Sequence, residues 1–424
     1  MTGCRVFGAA IYCIALFSQG QAIAQIEPEG LSWADIERPE FDPLGIRVGS
    51  FDIFASVTSR LDYDSNVFAS ASDQQVDDAL MSIRPQIDLK SNWSVHKLDL
   101  AAFADSTFYT SLGTEDHTDY GLSVSSRIDV SRQTRVFAAF GYRRYFEDRA
   151  AIDTRRNTQN PIELQQLQAS ASLAHRFNKA ELVVSADIAG FDARDGRLRE
   201  TQAVVGQDFR DFTSVGGKAA LSYEVSPGYA AFVSAQVRDG DFDLRPGDLG
   251  FGGGGVFDRN FSTRTIDAGF TAEVTQVIYA TLALGRLTID LDDPRLDDIS
   301  AVSARADVLW NFSPISSFIL KADRAASPTN DPIVPVRLDT SITVGIDHEL
   351  LYNLTFKMRG RYARFDFDGI SRTDEEVGGS VAVRYLISNR LQARATYRYA
   401  QRKSDAVGFN FGQHRMGISL EFSL

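Results

Sequence analysis

The chain has 424 residues and is 44% hydrophobic, enough for one to three domains and too apolar for a disordered protein. Its 44 basic residues are outnumbered by 56 acidic ones, a net charge of −12, which argues against a nucleic-acid binder. Beyond the N-terminus there is no run of about 18 apolar residues, which excludes a multi-helix inner-membrane protein.

Residues 1–24 read as a signal peptide. Arg5 is a minimal basic start, Val6 to Phe17 an apolar core, and Ala22-Ile23-Ala24 a small-x-small cleavage signal. The apolar core is too short to span a bilayer. Cys4 and Cys13 both fall in this segment, so the mature chain is expected to carry no disulfide. Tyr12 before Cys13 is too large for lipoprotein cleavage. Residues 25–48 are acidic, carry Pro28, Pro39 and Pro43, and read as a periplasmic N-terminal segment. Leu31 to Ile36 has the makings of a helical turn. The segment is either a disordered leader or a docking strip for a periplasmic partner, such as a polysaccharide-export protein.

From residue 49 to 424 one pattern repeats. In Thr340 to Asp347 one parity is Ile342, Val344 and Ile346, and the other is polar or small. Period two means a strand with two different faces. Leu98 to Ala102, Tyr120 to Val130, Leu354 to Arg359 and Val377 to Ile387 repeat it. Short turns are expected near Ser91, Ser131, Asn178, Ser226, Thr275, Ser313, Tyr352 and Ser388. Between them lie nine longer polar loops, near 62–76, 110–118, 147–162, 192–208, 239–260, 291–299, 324–336, 366–374 and 402–410. Strict short-long alternation predicts an all-β, antiparallel up-and-down transmembrane barrel of about 18 strands, with 16 as the alternative. Both chain ends then fall on the short-turn side, which is periplasmic in such barrels. The start of the strand within 201–223 is the least defined.

A soluble propeller or sandwich also alternates, but needs neither strands that cross an apolar band of about 25 Å nor this loop rhythm. Ala102, Ala104, Gly217 and Ala219 on the apolar parity suit lipid. Trp93, Phe177, Tyr229, Trp310, Phe312 and Tyr352 cluster at the short turns, as interfacial aromatics do. The last strand alternates through Met416, Ile418, Leu420, Phe422 and Leu424, the kind of closing strand that the barrel-assembly machinery reads.

Two stretches carry a family resemblance. One is Arg38-Pro39-Glu40-Phe41-Asp42-Pro43-Leu44-Gly45-Ile46-Arg47-Val48-Gly49-Ser50-Phe51; the other is Leu61-Asp62-Tyr63-Asp64-Ser65-Asn66-Val67-Phe68-Ala69. From about residue 38 the chain resembles the putative beta-barrel porin 2 family of outer-membrane proteins. The resemblance implies that the tyrosine-acidic-asparagine stretch ends the first strand at the outer rim. Some members of that family resemble outer-membrane components of exopolysaccharide and capsule secretion.

No catalytic constellation is legible. His96, His175, His348 and His414 fall at strand ends on the apolar parity, and His117 in a loop, none with a Ser or Asp partner at short spacing. Asp239 to Asp243 resembles half of a calcium loop without the downstream Glu. A cluster at Asp290, Asp292, Asp293, Asp297 and Asp298 reads as a solvated loop, so neither a metal nor a cofactor is expected. Gly252 to Gly255 makes the 239–260 loop a candidate constriction. The polar parity is more informative. It gathers Lys357, Arg359, Arg361, Arg384, Arg394, Arg398 and Arg415 into a basic stripe on one wall. Elsewhere it places Asp99, Asp105, Asp129, Asp187, Asp267 and Asp307. Opposed walls of this kind select permeants by charge. The expected function is a pore for an anionic polysaccharide or small anionic solutes, with outer-membrane lipid and lipopolysaccharide as surroundings. The alternative is a structural or adhesion barrel with a blocked lumen.

Overall fold

The structure is a computed structural model that describes residues 30–424 except 153, 155–156, 245–257, 276, 330, 332–333 and 368–369. The predicted signal peptide, residues 25–29 and the Gly252–Gly255 run lie outside the described residues.

Eighteen long strands form the sheet: β1 (Phe51–Asp64), β2 (Asp78–Ser91), β3 (Lys97–Tyr109), β4 (His117–Asp129), β5 (Thr134–Phe146) and β6 (Glu163–Phe177). They continue with β7 (Ala180–Ala193), β8 (Phe212–Ser226), β9 (Tyr229–Phe242), β10 (Phe261–Val274), β11 (Ile278–Leu291) and β12 (Ile299–Ser313). The last six are β13 (Ser316–Pro328), β14 (Val336–Leu351), β15 (Leu354–Phe367), β16 (Arg372–Leu386), β17 (Leu391–Ser404) and β18 (Phe411–Ser423). Each pairs antiparallel with its sequence neighbours, and β18 closes on β1 from Ser56↔Ser423 to Asp64↔Arg415. The strands are 13 to 16 residues long, more than the roughly 9–11 that a tilted strand needs to cross a bilayer.

The predicted alternation of short turns and longer loops is observed, except that β15 and β16 are joined by only four residues, no more than join β4 to β5 or β16 to β17. Turn chemistry explains the short end. Gly228 follows Pro227 at φ 80°, and Asn178 sits at φ 56°, left-handed values that Gly and Asn tolerate best. The uncertain stretch resolves into a small ribbon pairing Gly196–Arg197 with Val204–Val205 and a 3₁₀ turn over Asp208–Arg210, before β8 starts at Phe212. Three loop placements need correcting. His117 opens β4 opposite Thr107, and Asp290 lies in β11 opposite Ser262. Asp239 and Asp241 are not in a loop, because β9 extends through Phe242 and pairs Asp241 with Thr213.

Closure gives the two parities their meaning. Leu282 and Leu284 point outward at 50% and 66% exposure, while Ala283 between them is only 6% exposed. The outward face at the short turns carries aromatics, with Trp310 and Phe312 edge to face at 5.7 Å and Tyr229 stacked on Phe270 at 6.0 Å. Inside the long-loop end, Phe191, Phe212, Phe242 and Phe261 form a buried chain of rings with Leu287 and Ile289. Before β1, Ile46–Val48 folds back as a short strand on Phe51–Ile53, between Gly45 and Gly49, whose φ values are 67° and 60°. Among the described residues no helix is long and apolar enough to cross a membrane.

Candidate functional site

Register fixes which polar side chains share the inner face. Lys357, Arg359 and Arg361 of β15, Arg384 of β16, Arg394 and Arg398 of β17 and Arg415 of β18 all lie on it. Most of them meet carboxylates. Arg359 reaches Asp347 at 2.5 Å, Arg361 reaches Glu376 at 3.2 Å, and Arg415 lies 3.7 Å from Asp62, which also pairs with Arg60 at 2.9 Å. The acidic residues are likewise matched. Asp99 pairs with Lys97 (3.5 Å), Asp105 with Arg84 (3.7 Å), Asp129 with Arg127 (3.2 Å), Asp187 with Arg238 (2.7 Å) and Asp307 with Lys321 (3.1 Å). Asp267 alone of the six has no ion pair among the described residues. The inner face therefore carries many ion pairs, within strands and between them, rather than two bare walls of opposite sign.

The exception is local. Arg384, Arg394 and Arg398 make no ion pair among the described residues. Arg384 stands directly across from Arg394, and Arg398 directly across from Arg415. Like charges opposite each other on adjacent strands repel. Two such pairs, four residues apart along β17, leave a concentrated positive field over about 13 Å of one wall.

The described part of the N-terminal segment, from residue 30, is neither a free leader nor outside the barrel. Residues 30–45 run as a strap across the inside of the short-turn mouth. Ser32 caps a 3₁₀ turn at Trp33–Asp35 and donates its hydroxyl to Asp347 at 2.7 Å. Asn311 donates to Leu31 O, Trp33 N–H donates to the Ser317 hydroxyl, and Arg38 pairs with Glu349 at 2.6 Å. Two of the predicted basic residues hold the strap: Lys357 reaches Asp35 at 2.6 Å, and Arg384 donates to Ala34 O at 2.6 Å. On the other side a cleft lies between strap residues such as Asp35, Arg38 and Asp42 and Leu386, Gln392 and Glu421. The strap therefore narrows this mouth.

The long-loop mouth is crossed by the 147–162 loop, which joins β5 to β6 yet docks on β15–β17, the far side of the barrel. Ile152 inserts among Ala363, Phe365, Phe367 and Val334. Arg402 donates to Ala150 O and Ala151 O at 2.5 and 3.1 Å, and Arg372 to Ile152 O at 3.2 Å. At its root Arg149 makes a bidentate, buried pair with Glu115 at 2.7 and 2.9 Å, and Arg210 pairs with Glu147 at 2.6 Å. The sequence made the 239–260 loop a candidate constriction; its centre lies outside the described residues, among which a segment that crosses the mouth belongs to the 147–162 loop. Its signal in the sequence was the density of arginine and small residues in a loop too long for a hairpin.

Of the histidines, His175, His348 and His414 bond Thr134, Ser316 and Tyr397 at strand ends. Asp293 is engaged by Arg295 and by the Asp258 N–H. Among the described residues no group of His, Cys, Asp or Glu is arranged to hold a metal.

The barrel is similar to several solved structures. They include a BenF-like porin from Pseudomonas fluorescens Pf-5 at 12% identity and TM-score 0.46, covering 88% of this chain and 99% of that one. Pseudomonas aeruginosa OccK2 (OpdF) in complex with glucuronate matches at 11% identity and TM-score 0.45, over 88% of this chain and 98% of that one. The siderophore receptor PirA from Acinetobacter baumannii matches at 7% identity and TM-score 0.45, over 87% of this chain and 80% of that one. No curated protein matches the chain in sequence. The sequence profile of the putative beta-barrel porin 2 family matches residues 38–424, and the chain belongs to that family as an outer-membrane β-barrel porin.

Proposed function

We propose that the protein is a pore for small anionic solutes and that Arg384, Arg394, Arg398 and Arg415 are its selecting element. The observation that carries this reading is the pair of cross-strand arginine contacts, three members of which form no close ion pair among the described residues. Arginine keeps its charge and presents planar donors suited to carboxylate or phosphate. Small solutes are favoured over an exported polysaccharide because the strap and the 147–162 loop each occupy part of a mouth, whereas a hydrated polymer needs continuous width. The solute undergoes no reaction on this path.

The same reading places the short-turn rim and both chain ends in the periplasm. Support comes from the outward face at the long-loop rim. There Arg144 pairs with Glu163, Arg264 with Asp290 and Arg364 with Asp366. Such a charged belt suits the phosphate-bearing, cation-bridged surface of lipopolysaccharide.

Reversal potentials in planar bilayers test the pore. Wild type should prefer anions, and Arg394→Glu and Arg398→Glu should each reduce that preference, most at low salt where screening is weak. Cation preference in wild type, or a folded barrel that never conducts, would overturn the reading; the second result favours a blocked structural barrel.

A further inference from the structure

The strap brings its own carboxylate to the basic wall. Asp35 sits 2.6 Å from Lys357, and the next carbonyl back, Ala34 O, takes a hydrogen bond from Arg384. Lys357 has a second carboxylate, Asp347, at 3.8 Å, but that group is already engaged by Arg359 at 2.5 Å and by Ser32 at 2.7 Å. Arg384 in turn keeps a buried Nε–H with no partner and faces Arg394 across the strand pair. This end of the wall holds more positive charge and more donors than the barrel itself satisfies.

We propose that Lys357 and Arg384 form a carboxylate-binding subsite of the permeation path, and that Asp35 occupies it as a tethered stand-in for the solute. The inference rests on the anion-pore reading above. A solute carboxylate offers the same charge and the same acceptor lone pairs as Asp35, so the two compete for one place. The strap can yield at Asp35 without coming away whole. Its Arg38–Glu349 pair and Ser32–Asp347 hydrogen bond are buried and hold it, whereas the Asp35–Lys357 pair is about a third exposed and of small net worth. Its C-terminal end is tied to the barrel where Ile46–Val48 pairs with β1, and Gly45 at φ 67° provides a pivot. A Cβ at Gly45 would lie 2.6 Å from the Phe54 ring, so the pivot has little room for any other residue. A carboxylate on a short tether has an effective concentration in the millimolar range. Solute must therefore reach about millimolar levels to displace it, which makes the strap a concentration-dependent gate.

The test uses the full chain in planar bilayers with succinate as the probe, scored by its block of the chloride current. Asp35→Asn should raise the chloride conductance and lower the half-blocking succinate concentration about tenfold, as loss of one charge-assisted competitor implies. Lys357→Gln should weaken succinate block and make it insensitive to Asp35→Asn. Glu40→Gln, an exposed strap carboxylate that does not line the cleft, should behave as wild type. If Asp35→Asn leaves succinate block unchanged while Arg394→Glu still reduces anion preference, the tethered competitor is refuted and the pore reading stands. If no variant conducts although all are folded by heat-modifiable migration, the pore reading falls and this proposal with it.

Discussion

Removing the Ile152 peg should widen the pore without opening the barrel. Ile152 is 6% exposed and touches Ala363, Phe365, Phe367 and Val334. Truncating a buried isoleucine to alanine costs about 2–5 kcal/mol. A loop that can resettle falls at the lower end, so about 2 kcal/mol is the working figure. At a factor of ten for each 1.4 kcal/mol, that weakens docking of the 147–162 loop roughly 30-fold. Arg402→Gln withdraws the charged donor from Ala150 O and Ala151 O, worth about 1.5–3 kcal/mol more, while Glu376 keeps Arg361 as partner. The double variant should leave the loop mostly undocked. Single-channel recording should then find a larger unitary conductance with more open-state noise, and Ile152→Val should change little. Heat-modifiable migration should stay as in wild type, because the backbone ladder between β16 and β17 is left intact. An unchanged conductance in the double variant, with the loop newly cleavable by added protease, would refute the claim that this loop narrows the pore.

Other outcomes follow from the same geometry. Met358→Arg places a charge on the outward face near mid-membrane, at a cost of about 2–4 kcal/mol, and should cut the yield of folded barrel; Arg398→Glu on the inner face should assemble normally. Arg149→Met strands Glu115 in a buried site, a loss of about 3–5 kcal/mol, and should speed hydrogen exchange across 110–116 and 147–162; Glu115→Gln in the same chain should restore part of the protection. Burial, aided by Asp192, Asp208 and Asp243, pushes the Asp211 carboxyl up to about 7 while the Ala193 N–H that it accepts pulls it down. A raised carboxyl favours the folded state below its unfolded value, near 4, and loses that advantage as pH rises through 7. Protease cleavage within 194–211 should therefore increase between pH 4 and 7, and Asp211→Asn should flatten the dependence.

The barrel was legible because two independent signals agree, a period of two along each strand and a long-short rhythm between strands. Register then follows from closure, which is why parity alone put Arg394 and Arg398 on the same inner face. What parity could not give is pairing across the sheet. Asp187 finds Arg238 across 51 positions, with β8 between them, and no spacing rule announces that contact. The opposed-wall expectation counted charges but not their partners, so it overstated the acidic side. The strap and the crossing loop were hidden for a different reason. Neither has a period, and each takes its shape from groups far along the chain, as when Arg402 meets Ala150 at a separation of 252 residues. Only the local turn at Trp33–Asp35 left a trace, in Ser32 preceding a short helical stretch.

The folded-back strand at Ile46–Val48 has a consequence for how barrels share a crowded membrane. β18 ends opposite Ser56, so the first five residues of β1 would otherwise present bare N–H and C=O groups to the lipid side. An unpaired edge in an apolar medium is both costly and adhesive, since any other strand tip can complete it. Ile46, Arg47 and Val48 cover Ile53, Asp52 and Phe51, and the Leu424 N–H bonds Ala55 O. The seam is thus finished by the chain's own leading residues, leaving a neighbouring barrel nothing to zip onto at this point.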